Sequence, residues 1–456
     1  MSLDEIALSE YGKASTVPSP VNRMMASFAS DFRDDKDINL GVGYVNEGTL
    51  PREPIKAAVT EVLGYSAKHR LALNYGGPRG ATNLIRAIRD FHVGHAIGGL
   101  SAELLDTKQI IIGPNGASSL LEAIANVARR GIVVTSDPMY YIYCNLLKRK
   151  GFELLAIPED RDGIQTELLR KRLRELGDRR ESLSFIYVVT INNPTCTILS
   201  NQRRHALVDI ANRLSRELGR QIPLILDKAY EDLIHDPTVK RMESGLLHDE
   251  SGVVYELGTL SKILAPALRI GYLIGEDGPF LRALVQKTSD DGFSASQLMQ
   301  EVAGHLLDHH AEEQIRHVNQ GYREKARMTK RWIYEYLDQD IEACTGGKAG
   351  FYFYLTLKET PTAENSDFFK YLSRRTGDPT VDGQDTALRP RVIYIPGQYC
   401  VHPHGELVEI GQRQLRLSYG FEELSKIKRA LEIMREAANY ATTHNTGCSV
   451  QGELGL

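Results

Sequence analysis

Along most of this chain, short apolar runs alternate with stretches in which apolar residues recur every three or four positions. Ile110-Ile112, Ile132-Val134, Leu154-Ile157, Phe185-Val189, Leu224-Leu226, Val253-Leu257 and Gly271-Ile274 read as strands. Between them, Leu120, Leu121, Ile124 and Val127, and again Leu207, Ile210, Ala211, Leu214 and Leu218, fall on single helix faces. Strands separated by helices need crossover connections, so this alternation predicts an α/β fold with a mainly parallel central sheet and helices on both faces.

The pattern changes near residue 280. A long helical stretch runs from Ser296 to Leu337, and a smaller α+β region follows with strands at Gly350-Leu355 and Val392-Ile395. The Glu359-Gln384 stretch reads as helix plus a Gly/Pro/Asp-rich loop, and Leu424, Ile427, Leu431, Met434 and Ala438 mark a last helix. Residues 1 to about 35 are polar and weakly periodic, which predicts an arm or irregular segment, and the small polar tail from Thr442 is expected to fray. The expected division is 1–60 as N-terminal arm and part of the small domain, 61–335 as the large domain, and 336–456 as the small C-terminal domain.

Composition narrows the function classes. With 456 residues, 42% hydrophobic and 25% charged, the chain is long enough for a sizeable core. A net charge of -4 gives no basic surface for nucleic acid. The five cysteines are far apart with no CxxC spacing, so no metal site is expected and a reducing compartment is the simplest assumption. No apolar run approaches a membrane span and the N-terminus lacks a signal-peptide pattern, so a cytoplasmic protein without membrane partners is expected.

The candidate chemistry lies at the ends of the strands, where open α/β sheets bind ligands. After Ile110-Ile112, Gly113-Pro114-Asn115-Gly116-Ala117-Ser118 opens a helix whose free N–H groups suit an anion. A simple helix cap at Asn115 accounts for it about as well. After Ile132-Val134, Asp137-Pro138-Met139-Tyr140 offers either a ring for a flat ligand or a packed tyrosine. After Phe185-Val189 comes Asn193-Pro194-Thr195, an outward amide or a plain turn. After Leu224-Leu226 comes Asp227-Lys228-Ala229-Tyr230, an acid that is costly there without a cation. After Val253-Leu257 comes Thr259-Leu260-Ser261-Lys262, with Arg269 seven residues beyond the lysine. Alone, each has an ordinary structural explanation. Together they describe a site for a flat, phosphorylated, cationic heterocycle, and pyridoxal phosphate fits.

These motifs, in this order, resemble those of the class I/II aminotransferases, which are fold-type I pyridoxal phosphate enzymes, over roughly residues 38 to 435. The resemblance is carried by Asn193-Pro194-Thr195-Cys196, Asp227-Lys228-Ala229-Tyr230, Thr259-Leu260-Ser261-Lys262, Pro266-Ala267-Leu268-Arg269-Ile270-Gly271 and Leu415-Arg416-Leu417-Ser418. It implies that Lys262 forms the Schiff base and shuttles the substrate proton, and that Asp227 pairs with the pyridine nitrogen. Asn193 and Tyr230 would hydrogen-bond the phenolic oxygen while Tyr140 stacks on the ring. The phosphate would be held by Gly116, Ala117, Ser118, Thr259, Ser261 and Arg269, with Tyr75 reaching it from a neighbouring subunit of a homodimer. Arg416 would clamp the substrate carboxylate, with Gly43 and Asn193 beside it. Cys196, Ala267 and Ala117 depart from the family pattern without removing a charged or proton-transferring group, so altered loop packing is expected there. The family's turns also imply cis peptides at Asp137-Pro138 and Asn193-Pro194.

The resemblance implies amino transfer from an L-amino acid to a 2-oxo acid. The alternative is a β-lyase or another amino acid-modifying enzyme of the same fold, because the cofactor supplies the chemistry and the pocket selects the bond. An aminotransferase-like transcriptional regulator would need a DNA-binding module, and the roughly 35 residues before Ile38 are too few for one. Tyr44-Glu47, Tyr141-Tyr143 and Asp290-Ser294 are the candidates for side-chain recognition, and their mixed polar and aromatic character suggests a broad or aromatic specificity.

Overall fold

A computed structural model describes residues 6–65, 67–384 and 389–450, the last six as helical backbone only. Among the described residues, fourteen strands form three sheets. In chain order they are β1 (Ile38–Asn39), β2 (Gln109–Ile112), β3 (Ile132–Asp137), β4 (Glu153–Asp160), β5 (Gly163–Ile164), β6 (Leu183–Val189), β7 (Leu224–Asp227), β8 (Val254–Thr259), β9 (Gly271–Gly275), β10 (Ile341–Gly346), β11 (Tyr352–Leu357), β12 (Val392–Ile393), β13 (Ile395–Pro396) and β14 (Gln414–Ser418).

The large sheet has the order β2-β9-β8-β7-β6-β3-β4-β5. Its centre from β8 to β4 is parallel, and β9 is antiparallel to both its neighbours. Every residue of β3, β6, β7 and β8 is buried. Covering on both faces is why these strands read as continuous apolar runs instead of alternating ones. All seven strands expected for this sheet are present, and β8 continues two residues further than its apolar run, through Gly258 to Thr259.

The smaller sheet, β10-β11-β14-β13, is antiparallel, and β1 pairs in parallel with β12, joining the start of the described chain to its last third. A 41-residue helix, Gln297–Leu337, about 60 Å long at the usual rise per residue, packs against the helices Thr82–Gly94, Arg52–Gly64 and Leu424–Val450. Its polar side chains take carbonyls from well-separated segments. Gln314 donates to Ile263 and Thr49, Asn319 to Asp232, and Lys325 to Gly420 and Glu422.

Three expectations are corrected. The N-terminal segment holds two helices, Glu10–Ala14 and Pro20–Ala29. In the second, Ser19 caps the first turn, Pro20 stands where its missing N–H costs nothing, and Val21, Met24 and Phe28 form a buried face. Val21, Met24 and Phe28 do recur at helical spacing, but over only ten residues between polar flanks. The last helix continues through Thr442 to Val450 instead of fraying at Thr442. Asp137-Pro138 is cis, but Asn193-Pro194 is not, because the following turn closes without it: Cys196 N–H donates to the Asn192 carbonyl (2.7 Å) and Asn192 N–H to that of Thr197 (2.9 Å). Among the described residues, no helix is long and apolar enough to cross a membrane.

Candidate active site

One cavity lies at the C-terminal ends of the parallel strands, as the order β7-β6-β3 demands of a sheet whose ligands bind at its carboxyl edge. Its lining includes Ala117, Ser118, Tyr140, Asn193, Asp227, Tyr230, Thr259, Ser261, Lys262 and Arg269. Each of these was expected at the site from sequence.

The turn after β8 holds itself in shape. Thr259 Oγ1 accepts from Ser261 N–H (3.2 Å) and donates to the Ile270 carbonyl (2.9 Å), and Leu260 N–H donates to the same carbonyl (3.1 Å). Thr259 and Ser261 hydroxyls thus stand 3.0 Å apart at the mouth of a closed loop. Arg269 ends that loop in the left-handed region (φ 55) and turns its guanidinium onto the neighbouring helix start, donating to both the carbonyl and the Oδ1 of Asn115. Asn115 therefore makes no side-chain cap, and the helix Gly116–Val127 begins with uncapped N–H groups beside Arg269. Two glycines make this approach possible. A Cβ on Gly271 would stand 2.1 Å from Ala117 N, and one on Gly116, itself at φ +72, would stand 2.8 Å from the Arg269 guanidinium. Uncapped amides, two hydroxyls and a guanidinium in one place suit a phosphate.

Asp227 ends β7 almost fully buried. Tyr187 Oη donates to its Oδ2 (2.8 Å) and Ala229 N–H to its Oδ1 (3.0 Å). Burial nonetheless pushes its carboxyl up to about 6, and no lysine or arginine among the described residues pairs with it. An acid held like this is stabilised by a cation brought to it.

Lys262 donates to the Gly43 carbonyl (3.1 Å), and its Nζ lies 5.6 Å from the Tyr230 ring and 5.5 Å from that of Phe351. Burial first, then the Arg416 and Arg269 charges, bring its amine down to about 8, so roughly a tenth, far more than for an ordinary lysine, is neutral at pH 7. That is the form in which an amine attacks a carbonyl.

Arg416, on β14, is 2% exposed. Its Nη1 donates to Asn193 Oδ1 (2.8 Å), its Nη2 to the Gly41 carbonyl, and its Nε has no partner. The guanidinium carbon stands 4.3 Å over the Tyr352 ring and 5.9 Å from that of Tyr141. Gly43 lies close by, since a Cβ there would meet Tyr352 Oη at 2.6 Å. Tyr75 is not part of this group. It is 78% exposed on its own chain, tilted against Phe293 at 5.5 Å.

Sequence reasoning missed Tyr187 and Tyr352. Tyr352 Oη is 3.0 Å from Tyr230 Oη. The available signal was a phenol inside an otherwise apolar buried strand, which must find a partner. Cys196, where the family pattern has glycine, adopts φ 51, the backbone that glycine favours, and is buried beside Gly350.

A family model described as aminotransferase class I and II matches residues 35–420. An aromatic-amino-acid aminotransferase of Thermococcus litoralis is 26% identical over 411 residues, which cover 88% of this chain and 87% of that protein. An uncharacterized HTH-type transcriptional regulator of Bacillus subtilis is 25% identical over 404 residues, 88% of this chain and 73% of the regulator. A solved kynurenine aminotransferase of Pyrococcus horikoshii, in complex with PMP, superposes with a TM-score of 0.78 at 23% identity, covering 94% of this chain and 96% of that one.

Proposed function

This chain belongs to the class I and II aminotransferases, fold-type I enzymes whose cofactor is pyridoxal 5'-phosphate, and from that premise we propose that it moves the amino group of an aromatic or large apolar L-amino acid to a 2-oxo acid with Lys262 as its central residue. The observation that carries this reading is a pair of buried groups near Lys262: an acid without a cation, and an arginine with a free Nε. The first fits a protonated pyridine nitrogen and the second a substrate carboxylate.

When bound, the cofactor supplies an aldehyde for a lysine amine and a cationic ring that takes up negative charge from the substrate α-carbon. Asp227 holds the proton on the ring nitrogen, and Tyr187 and Ala229 keep the carboxylate pointed there. Arg269, Thr259, Ser261 and the N–H groups of Gly116, Ala117 and Ser118 hold the phosphate. Tyr140, Asn193 and Tyr230 line the ring's place. Arg416 binds the substrate carboxylate and is itself steered by Asn193, with Gly43 beside it. Lys262 Nζ, as the neutral amine, would take the proton from the substrate α-carbon and pass it to the carbon that was the cofactor's aldehyde. Tyr141, Tyr352 and the exposed Tyr44 border Arg416 and its neighbour Gly43, which supports an aromatic or apolar donor over a second carboxylate. The exposed Tyr75 is offered to the phosphate of a second copy in a homodimer. Residues 61–335 form the cofactor-binding domain, with 1–60 and 336–456 contributing the arm and the small domain.

The test is a half-reaction. The holoenzyme is mixed with single L-amino acids, without an oxo acid, and the absorbance of its bound cofactor is followed. Conversion to the amino form with release of the matching 2-oxo acid, strongest for aromatic donors, is expected. Release of pyruvate and ammonia without that conversion overturns the reading in favour of a β-lyase.

A further inference from the structure

His205, Glu243 and His248 lie away from the cofactor cavity, and their ligand atoms gather within 4.8 Å of one another. His205 is in the helix Asn201–Glu217, Glu243 in the loop before a short turn, and His248 ends that turn. Glu243 Oε2 is 2.7 Å from His205 Nε2 and 3.7 Å from His248 Nε2, with the imidazole centroids 4.0 Å apart. Among the described residues, the Glu243 carboxylate meets no lysine or arginine. The adjacent Arg204 turns inward to Glu231, and Arg241 donates to the His95 and Ala96 carbonyls.

The backbones that carry the three side chains are fixed independently of those side chains. Glu243 N–H donates to Asn201 Oδ1 (3.0 Å), at the start of the helix that carries His205. Ser244 Oγ and Gly245 N–H both donate to the buried Glu256 Oε1 (2.8 Å each), whose other oxygen pairs with Lys228 Nζ (2.8 Å). The His248 carbonyl accepts from Asn212 Nδ2 (3.3 Å) on that same helix. A surface His-Glu pair needs no such framework, and one carboxylate oxygen is poorly used by two imidazoles at once. When both rings are neutral with the proton on Nδ1, the two Nε2 atoms and the carboxylate oxygen offer three ligand atoms within 4.8 Å of one another.

The geometry points to a divalent transition-metal site of the zinc class, with His205 Nε2, His248 Nε2 and a Glu243 carboxylate oxygen as ligands and water completing the coordination. Two imidazoles favour zinc, copper or nickel over magnesium or calcium, which prefer oxygen. A bound ion would tie the 243–248 segment to the helix Asn201–Glu217 at the surface, adding to the hydrogen bonds and apolar packing that already join them. The site is independent of the aminotransferase reading.

Equilibrium dialysis of chelator-treated holoenzyme against zinc, and thermal melting with and without zinc, test this. One zinc per chain is expected in the wild type, with a melting temperature that rises in zinc. His205→Gln and His248→Gln should each weaken binding by roughly tenfold or more and abolish the rise. Metal-free variants should melt with the metal-free wild type, which separates loss of a ligand from loss of fold, and should one variant unfold, the other carries the test. Absence of saturable zinc binding in the wild type, or equal binding in wild type and both variants, overturns the proposal.

Discussion

At Asp227 a single carboxylate carries opposing demands. Burial raises its affinity for a proton, while one phenol and one amide donate to its ionised form. A protonated ring nitrogen beside it would tip the balance to the ionised acid. Asp227→Asn keeps the shape and removes that charge, so it is expected to cost about 3–4 kcal/mol of rate, roughly 10²- to 10³-fold in kcat, with the melting temperature little changed. Lys262 provides a pH test. The positive surroundings and burial that lower its pKa favour the free amine, so cofactor uptake by the apoenzyme should rise with pH through about 8. Arg416→Gln removes one nearby positive charge, which should move that midpoint upward. An unchanged midpoint, followed by absorbance, would show that Arg416 does not reach the lysine electrostatically.

The elements show where sequence reading succeeds and where it stops. Strands buried on both faces announce themselves as apolar runs, and their ends were legible because Asp227 follows its run directly and Asn193 and Lys262 come shortly after theirs. The helix Pro20–Ala29 was missed because it is only ten residues long between polar flanks, and its partners lie hundreds of residues away. Tyr352 was read as a strand residue because its role depends on Tyr230 and Arg416, brought next to it only by sheet packing. At β1 and β12, the fully buried Asp37 receives hydrogen bonds from Arg391 and Arg33. Burial alone would raise its carboxyl, but these bonds outweigh it and hold it well below the usual range. A depressed acid contributes stability that is present above the unfolded pKa, near 4, and is lost as pH falls below it. Asp37→Asn leaves the buried Arg391 with the exposed Asp31 as its remaining ionic partner and should cost about 3 kcal/mol near neutral pH, with a smaller difference in acid, read as melting temperature against pH.

For the whole molecule, the strongest expectation concerns two copies. If Tyr75 completes the phosphate site of a neighbour, a Lys262→Ala subunit is defective in its own site while a Tyr75→Ala subunit spoils its partner's. A mixed dimer then holds one intact site and one doubly defective site. Activity after unfolding and refolding the two variants together should exceed the sum of those measured apart, approaching roughly a quarter of wild type for random pairing. A strictly additive result would place Tyr75 outside any shared site. Sequence indicated this partnership only through the resemblance, because an exposed tyrosine on one chain has no pattern of its own.

The long helix Gln297–Leu337 has a bearing on which length changes this chain tolerates. Gln314, Asn319 and Lys325 take carbonyls beside the Lys262 turn, after Tyr230 and beyond Arg416, all from one rigid rod. Each residue advances a helix by about 100°. A one-residue insertion between Gln314 and Lys325 would therefore swing every later donor a quarter turn or more off its carbonyl, while the same insertion in a surface loop is absorbed locally. Loop lengths around this helix can change without disturbing these contacts, but within it the register of the residues is itself a structural constraint.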